Sequence, residues 1–103
     1  MGVRASPTHS ITYEEVRIPK DFLLGIPGEG LYQTLTVLDG GRIGIGALAV
    51  GLAQAAHEES IRYAKERESF GKSLSDHQAI QWMIADAAVR IEAARLLVYR
   101  AAW

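Results

Sequence analysis

The sequence has 103 residues, 49% hydrophobic and 22% charged, a balance that fits a folded chain and excludes intrinsic disorder. Eleven Lys and Arg against twelve Asp and Glu leave a net charge of −1, which gives no electrostatic case for nucleic acid or an anionic membrane surface. With no cysteine, disulfide scaffolds, thiolate zinc sites and cysteine nucleophiles are excluded.

The N-terminal stretch MGVRASPTHS lacks the apolar core of a signal peptide. Ser10 to Ile18 (SITYEEVRI) is rich in β-branched and aromatic residues. Ile11 and Tyr13 alternate, then Val16 and Ile18 alternate on the opposite parity. This predicts a strand with a bulge or an end at Glu14–Glu15. A lone strand cannot pair its own backbone, and no second long strand is evident. Pro19 closes the segment, and Gly25, Pro27, Gly28 and Gly30 form a turn-rich connection.

From Leu31 the period changes to three and four. Leu31, Leu35, Leu38, Arg42, Ile45, Ala49, Leu52 and Ala56 form one helical stripe. Gly40, Gly41, Gly44, Gly46 and Gly51 lie inside this helix, each costing about 1 kcal/mol relative to alanine. Such a cost implies close approach by other helices or by a bulky ligand, and the Gly40–Gly41 pair is a point where the helix can bend. The longest apolar run, Ile43 to Ala53, is 11 residues, short of the roughly 20 a membrane span needs. It reads as a buried helix segment. Glu58–Arg62 and Arg62–Glu66 then form a solvated face at i,i+4 spacing. Gly71 marks a C-terminal cap, so the helix should run from Leu31 to about Glu68, roughly 57 Å.

Ser75 with Gln78 three residues on has the arrangement of a capping box at the start of a second helix. Its stripe is Ile80, Ile84, Ala87, Ile91, Ala94 and Val98, the seam of a bundle. The short loop at Gly71 to Leu74 makes the two helices antiparallel. Val98 to Trp103 carries no stop signal. Two helices and a lone strand bury little, so both ends read as sections through a larger protein.

Three segments, in order, resemble the acyl-CoA dehydrogenase family, and the resemblance covers essentially the whole chain. Residues 2–8 (GVRASPT) with YEEVRIP and LLG are similar to the family's exit from its middle β-domain. Residues 39–56 (DGGRIGIGALAVGLAQAA) are similar to its first long C-terminal helix. Residues 63–79 (YAKERESFGKSLSDHQA) are similar to its most characteristic stretch, through Tyr63, Ala64, Arg67, Phe70, Gly71, Leu74 and Gln78. The resemblance implies a mostly α fold: a long antiparallel helix pair forming half of a C-terminal four-helix bundle, preceded by a short β segment. Residues 1–29 would be the end of the β-domain and a linker, and residues 30–103 the first part of the helical domain. It further implies a flavoenzyme that removes hydrogens from Cα and Cβ of an acyl-CoA thioester in fatty acid metabolism. FAD takes the hydride and a glutamate takes the α-proton, electron-transfer flavoprotein or a similar acceptor reoxidises the flavin, and subunits assemble as dimers or tetramers.

Residue by residue, the resemblance assigns Arg67, Glu68, Ser69, Phe70, His77 and Gln78 to the FAD of a neighbouring subunit. An arginine suits the pyrophosphate because its planar fork gives two charge-assisted bonds. Read without the family, Arg67 neutralises a helix C-terminal dipole, Phe70 is a core aromatic and Gln78 is only a capping partner. The free N–H groups at the start of the second helix also favour anions. Leu38, Asp39, Gly40, Gly41 and Arg42 match positions lining the acyl-CoA site. The alternative for Asp39 and Arg42 is a structural ion pair inside a small, apolar run. Some members carry the catalytic glutamate at the position of Gly41; here it is glycine, so no catalytic base is assigned within these residues. His9 and His57 have no partner at ligand spacing, so no metal site is expected. The different-class alternative is a non-catalytic helical module that oligomerises through the Ile80-to-Val98 seam or associates with a full-length partner. The expected setting is cytoplasmic, with no membrane span.

Overall fold

The computed structural model describes residues 5–103. From Ala5 to Glu29 the chain runs exposed and without a ladder, interrupted by a short 3-10 turn at Lys20–Phe22 and a turn at residues 25–28. The strand expected over Ser10–Ile18 does not form. Among the described residues its backbone has no partner strand, and Ile11, Tyr13, Val16 and Ile18 all stay exposed. The phase change does mark a real break, since Glu15 takes a positive φ of 47°. The part of the first family-like segment before Ala5 lies outside the described residues.

Helix α1 spans Gly30–Glu66 and helix α2 spans Gln78–Ala102. Between them lie strands β1 (Glu68–Ser69) and β2 (Lys72–Ser73) and a 3-10 turn at Leu74–Asp76. The chain measures 71 × 33 × 16 Å, the shape of two rods lying side by side. The α-helices are antiparallel: Gly46 lies against Val98, while Arg95 bonds Gln54. α1 is helical without interruption through Gly40–Gly41.

In α2 the half-buried residues are Ile80, Ile84, Ala87, Ile91, Ala94, Arg95 and Val98, so the expected seam is the one that packs. In α1 the packing face is Ile43, Gly46, Val50, Gln54, His57, Ile61 and Ala64. Only Val50 and Ala64 are buried outright. The predicted stripe through Ile45, Ala49 and Leu52 is rotated by about 100°, one residue's turn, from this face. Ile45 and Leu52 remain 67% and 58% exposed. Apolar residues surround this part of α1, so periodicity alone could not select the side that meets α2. His57 belongs to this packing face. The Ile80-to-Val98 seam packs against α1 of the same chain, with its residues half-buried there.

α1 also contains an 18-residue window apolar enough to cross a membrane by length and composition alone. A helix covered on several sides by other helices has the same composition, and the apolar residues on more than one side of α1 fit that explanation. Among the helix-interior glycines, only Gly46 approaches another element: a Cβ there would lie 3.2 Å from Val98 Cγ2. At Gly40, Gly41, Gly44 and Gly51 a Cβ would meet nothing within 4 Å. The cost of those four glycines is not offset inside this helix pair.

Candidate functional site

The link between α1 and α2 is a tight hairpin. Glu68 pairs with Ser73 and Ser69 with Lys72, leaving Phe70 and Gly71 as a two-residue turn. Their φ values, 54° and 75°, are those of a type I′ turn. Gly71 therefore serves the hairpin and is not a helix cap. α1 ends earlier, at Glu66, where Arg67 turns extended and its N–H donates to Tyr63 O at 2.9 Å. The Ser73 hydroxyl donates to Ala64 O at 2.8 Å and approaches Lys65 O at 3.3 Å, satisfying carbonyls at the helix end. Leu74 N–H donates to Arg67 O at 2.8 Å and closes the base of the hairpin.

The expected capping box is replaced by another arrangement. Ser75 lies in the 3-10 turn, its N–H donating to Ser73 Oγ at 3.3 Å. His77 is the N-cap of α2, and no side-chain hydrogen bond caps that position. Gln81, not Gln78, reaches back, with Nε2 donating to Ser75 O at 2.8 Å. His77 Nε2 lies 3.1 Å from Ser69 O, and its ring meets Phe70 edge-on at 6.5 Å between centroids. Arg67, Glu68, Ser69, Phe70, His77 and Gln78 are thus gathered around one hairpin and one helix start.

Two properties suit this cluster to an external anion with an apolar part. Phe70 is 96% exposed at the tip, in a backbone conformation costing about 1–2 kcal/mol for a non-glycine residue. That exposure rules out a core role within these residues. Arg67, like Arg17 and Arg100, has no ion pair among the described residues, whereas Arg42, Arg62, Arg90 and Arg95 each have a carboxylate partner. Free N–H groups at the α2 start lie in the same cluster.

The second set, Leu38 to Arg42, is elsewhere. Along α1, at about 1.5 Å per residue, roughly 38 Å separates Arg42 from Arg67. Asp39 and Arg42 form an ion pair at 3.6 Å, with side chains 74% and 75% exposed. The expectation of a buried pair is not met, because α2 does not cover this end of α1. Leu38 is also largely exposed, and Gly40 and Gly41 face open space.

Three features escaped sequence reasoning. An apolar groove of about 750 Å³ runs between the helices beside the hairpin, lined by Ala56, Ser60, Tyr63, Leu74, Met83 and Ala87 among others. Ser73 caps α1 from beyond the hairpin; its signal was a serine inside a turn cluster. A polar chain crosses the seam, with Arg95 Nη2 donating to Gln54 Oε1 at 2.9 Å and Gln54 Nε2 to Glu58 Oε1 at 2.6 Å. On the surface of α1, Arg62 binds Glu59 and Glu66, and its hydrogen bond and charge hold the Glu59 carboxyl below the usual carboxylate range. Among the described residues no cluster of His, Asp and Glu suits a metal.

The family model described as the acyl-CoA dehydrogenase, C-terminal domain, matches residues 28–103. The chain belongs to the acyl-CoA dehydrogenase family. A probable acyl-CoA dehydrogenase of Bacillus subtilis (strain 168), YngJ, is 55% identical over 103 residues, which is all of this chain and 27% of that protein. The structure of butyryl-CoA dehydrogenase from Megasphaera elsdenii superposes with a TM-score of 0.83 at 43% identity, covering 85% of this chain and 23% of that one. A structure described as the electron transferring flavoprotein of Acidaminococcus fermentans gives the same TM-score at 51% identity, again over 85% and 23%. The chain spans about a quarter of the length of these relatives. Its fold is that of the family's C-terminal helical domain.

Proposed function

We propose that this chain is part of a flavin-dependent acyl-CoA dehydrogenase, supplying contacts to FAD from the hairpin and contacts to the acyl-CoA thioester from Leu38, Asp39, Gly40, Gly41 and Arg42. The observation that carries this reading is the hairpin itself: an exposed Phe70 on a left-handed backbone beside an arginine without a carboxylate partner. In the family such an arginine meets the FAD pyrophosphate, and the Arg67 fork suits it with two charge-assisted bonds. Phe70 would cover an apolar face of the bound group, and the N–H groups at the start of α2 add dipole stabilisation. When bound, FAD supplies the acceptor for the hydride from Cβ.

The two sets of residues serve different active sites. About 38 Å of helix lies between Arg42 and Arg67, so the hairpin reaches a flavin held by a neighbouring subunit while Leu38–Arg42 faces the substrate of its own. This requires a dimer or tetramer. Exposed Ile45, Leu52, Trp82 and Leu97 provide apolar surface for assembly, as do the glycines that meet nothing inside the helix pair. The α-proton falls to a glutamate outside these residues, since Gly41 carries no side chain. An electron-transfer flavoprotein is the proposed acceptor, supported by the likeness to the Acidaminococcus structure. The proposed setting is the cytoplasm, in keeping with a cysteine-free, nearly neutral chain. The alternative of a non-catalytic helical module has less support, because α1 already packs against the Ile80-to-Val98 seam it would use.

The test is turnover. The 103-residue chain, given FAD, an acyl-CoA and an artificial electron acceptor, should be inactive, and a complete enzyme containing it should oxidise the thioester. Turnover by the chain alone would refute the assignment of the base and of most of the flavin pocket to other residues.

A further inference from the structure

We propose that Gln33 is a latch: its side-chain amide ties the Leu24–Ile26 turn to the first turns of α1 and fixes the direction in which the preceding segment leaves the helix pair. α1 begins without ordinary help, since its N-cap, Glu29, makes no side-chain hydrogen bond. Gln33, one turn into the helix, reaches back past the cap instead. With its amide oriented to satisfy both ends, Gln33 Nε2 donates to Leu24 O at 3.0 Å and Oε1 accepts from Ile26 N–H at 2.9 Å. The two bonds straddle Gly25 like a staple.

Gly25 is required there for two independent reasons. Its φ is +75°, and a Cβ would overlap the Gln33 amide. The turn is completed by Gly28, with φ +94°, and by Glu29 N–H donating to Ile26 O at 3.1 Å. Packing does not hold the junction in place of the latch. Leu23, Leu24 and Ile26 are 57%, 89% and 61% exposed, so little apolar area is removed from water. Among the described residues no other side-chain hydrogen bond or ion pair joins the segment before Gly30 to α1. Among the described residues, the direction of that segment therefore depends mainly on one side-chain amide. Leu38 to Arg42 begins little more than one turn beyond Gln33, so the latch also sets where the preceding segment stands relative to that stretch.

The test is hydrogen exchange at the Ile26 amide in the complete 103-residue chain. Gln33→Met keeps the length of the side chain and removes both bonds, while Gln33→Glu keeps an acceptor for Ile26 N–H but loses the donor to Leu24 O. Exchange at Ile26 should be about tenfold faster in Gln33→Met and intermediate in Gln33→Glu, with helical circular dichroism unchanged. Gly25→Ala should release the same amide without altering α1. Equal exchange at Ile26 in the parent and Gln33→Met overturns the proposal, as does exchange in the parent at the rate of an unstructured peptide.

Discussion

The glycines of α1 allow a paired experiment with opposite expected signs. Gly44 and Gly46 lie on one helix, two residues apart, yet a Cβ at Gly44 would meet nothing within 4 Å and one at Gly46 would lie 3.2 Å from Val98 Cγ2. Replacing a helix-interior glycine with alanine gains about 1 kcal/mol, largely by narrowing the unfolded ensemble. Gly44→Ala should realise that gain and raise the melting temperature by about 4–8 °C. At Gly46 the same gain meets a contact tighter than the ordinary carbon–carbon separation of about 3.5–4.0 Å. Val98 is β-branched and stiff at χ1, so the helices must part by a few tenths of an ångström. Overpacking typically costs about 1–3 kcal/mol, enough to cancel or reverse the gain. Urea unfolding followed by helical circular dichroism should separate the two variants by about 1–2 kcal/mol. Equal stabilisation by Gly44→Ala and Gly46→Ala would refute the close approach of α1 and α2 at Val98.

Two further predictions concern charged side chains. A double-mutant cycle on Gln54→Leu and Arg95→Met should give a coupling energy of about 0.5–1.5 kcal/mol, because their 2.9 Å bond crosses the seam; strict additivity in urea unfolding would show that the bond contributes nothing. Glu59, held below its ordinary value of 4.5 by Arg62, contributes stability that is present above that value and lost as pH falls through the lowered one. The difference in melting temperature between the parent and Arg62→Gln should therefore be constant above pH 4.5 and shrink on further acidification, and a difference that persists in acid would contradict the pairing.

Legibility in the sequence followed the contrast between faces. α2 segregates its apolar residues to one side more strongly than α1 does, and its seam is readable to the residue. α1 is apolar on several sides, and its true packing face through Val50 and Ala64 was indistinguishable from the neighbouring stripe. Ser10–Ile18 has strand composition, but composition cannot supply a partner strand, and the segment stays unpaired. At the site, the residue types around Arg67 and His77 were read from a family resemblance, and the fold gathers them at one place. The geometry is not readable: Glu68–Ser69 and Lys72–Ser73 have no strand character, and a glycine just past a helical stretch has the signature of a cap. The clue was the Phe-Gly pair itself, with glycine at the second position of a type I′ turn.

The central claim is that the hairpin contacts FAD, and FAD affinity of the complete enzyme tests it most directly. Arg67→Ala should weaken FAD binding by about 1–3 kcal/mol, the cost of a lost charge-assisted bond, while leaving the melting temperature of the flavin-free protein nearly unchanged. Unaltered FAD affinity together with a lowered melting temperature would contradict the claim and leave Arg67 as a helix-terminal charge only.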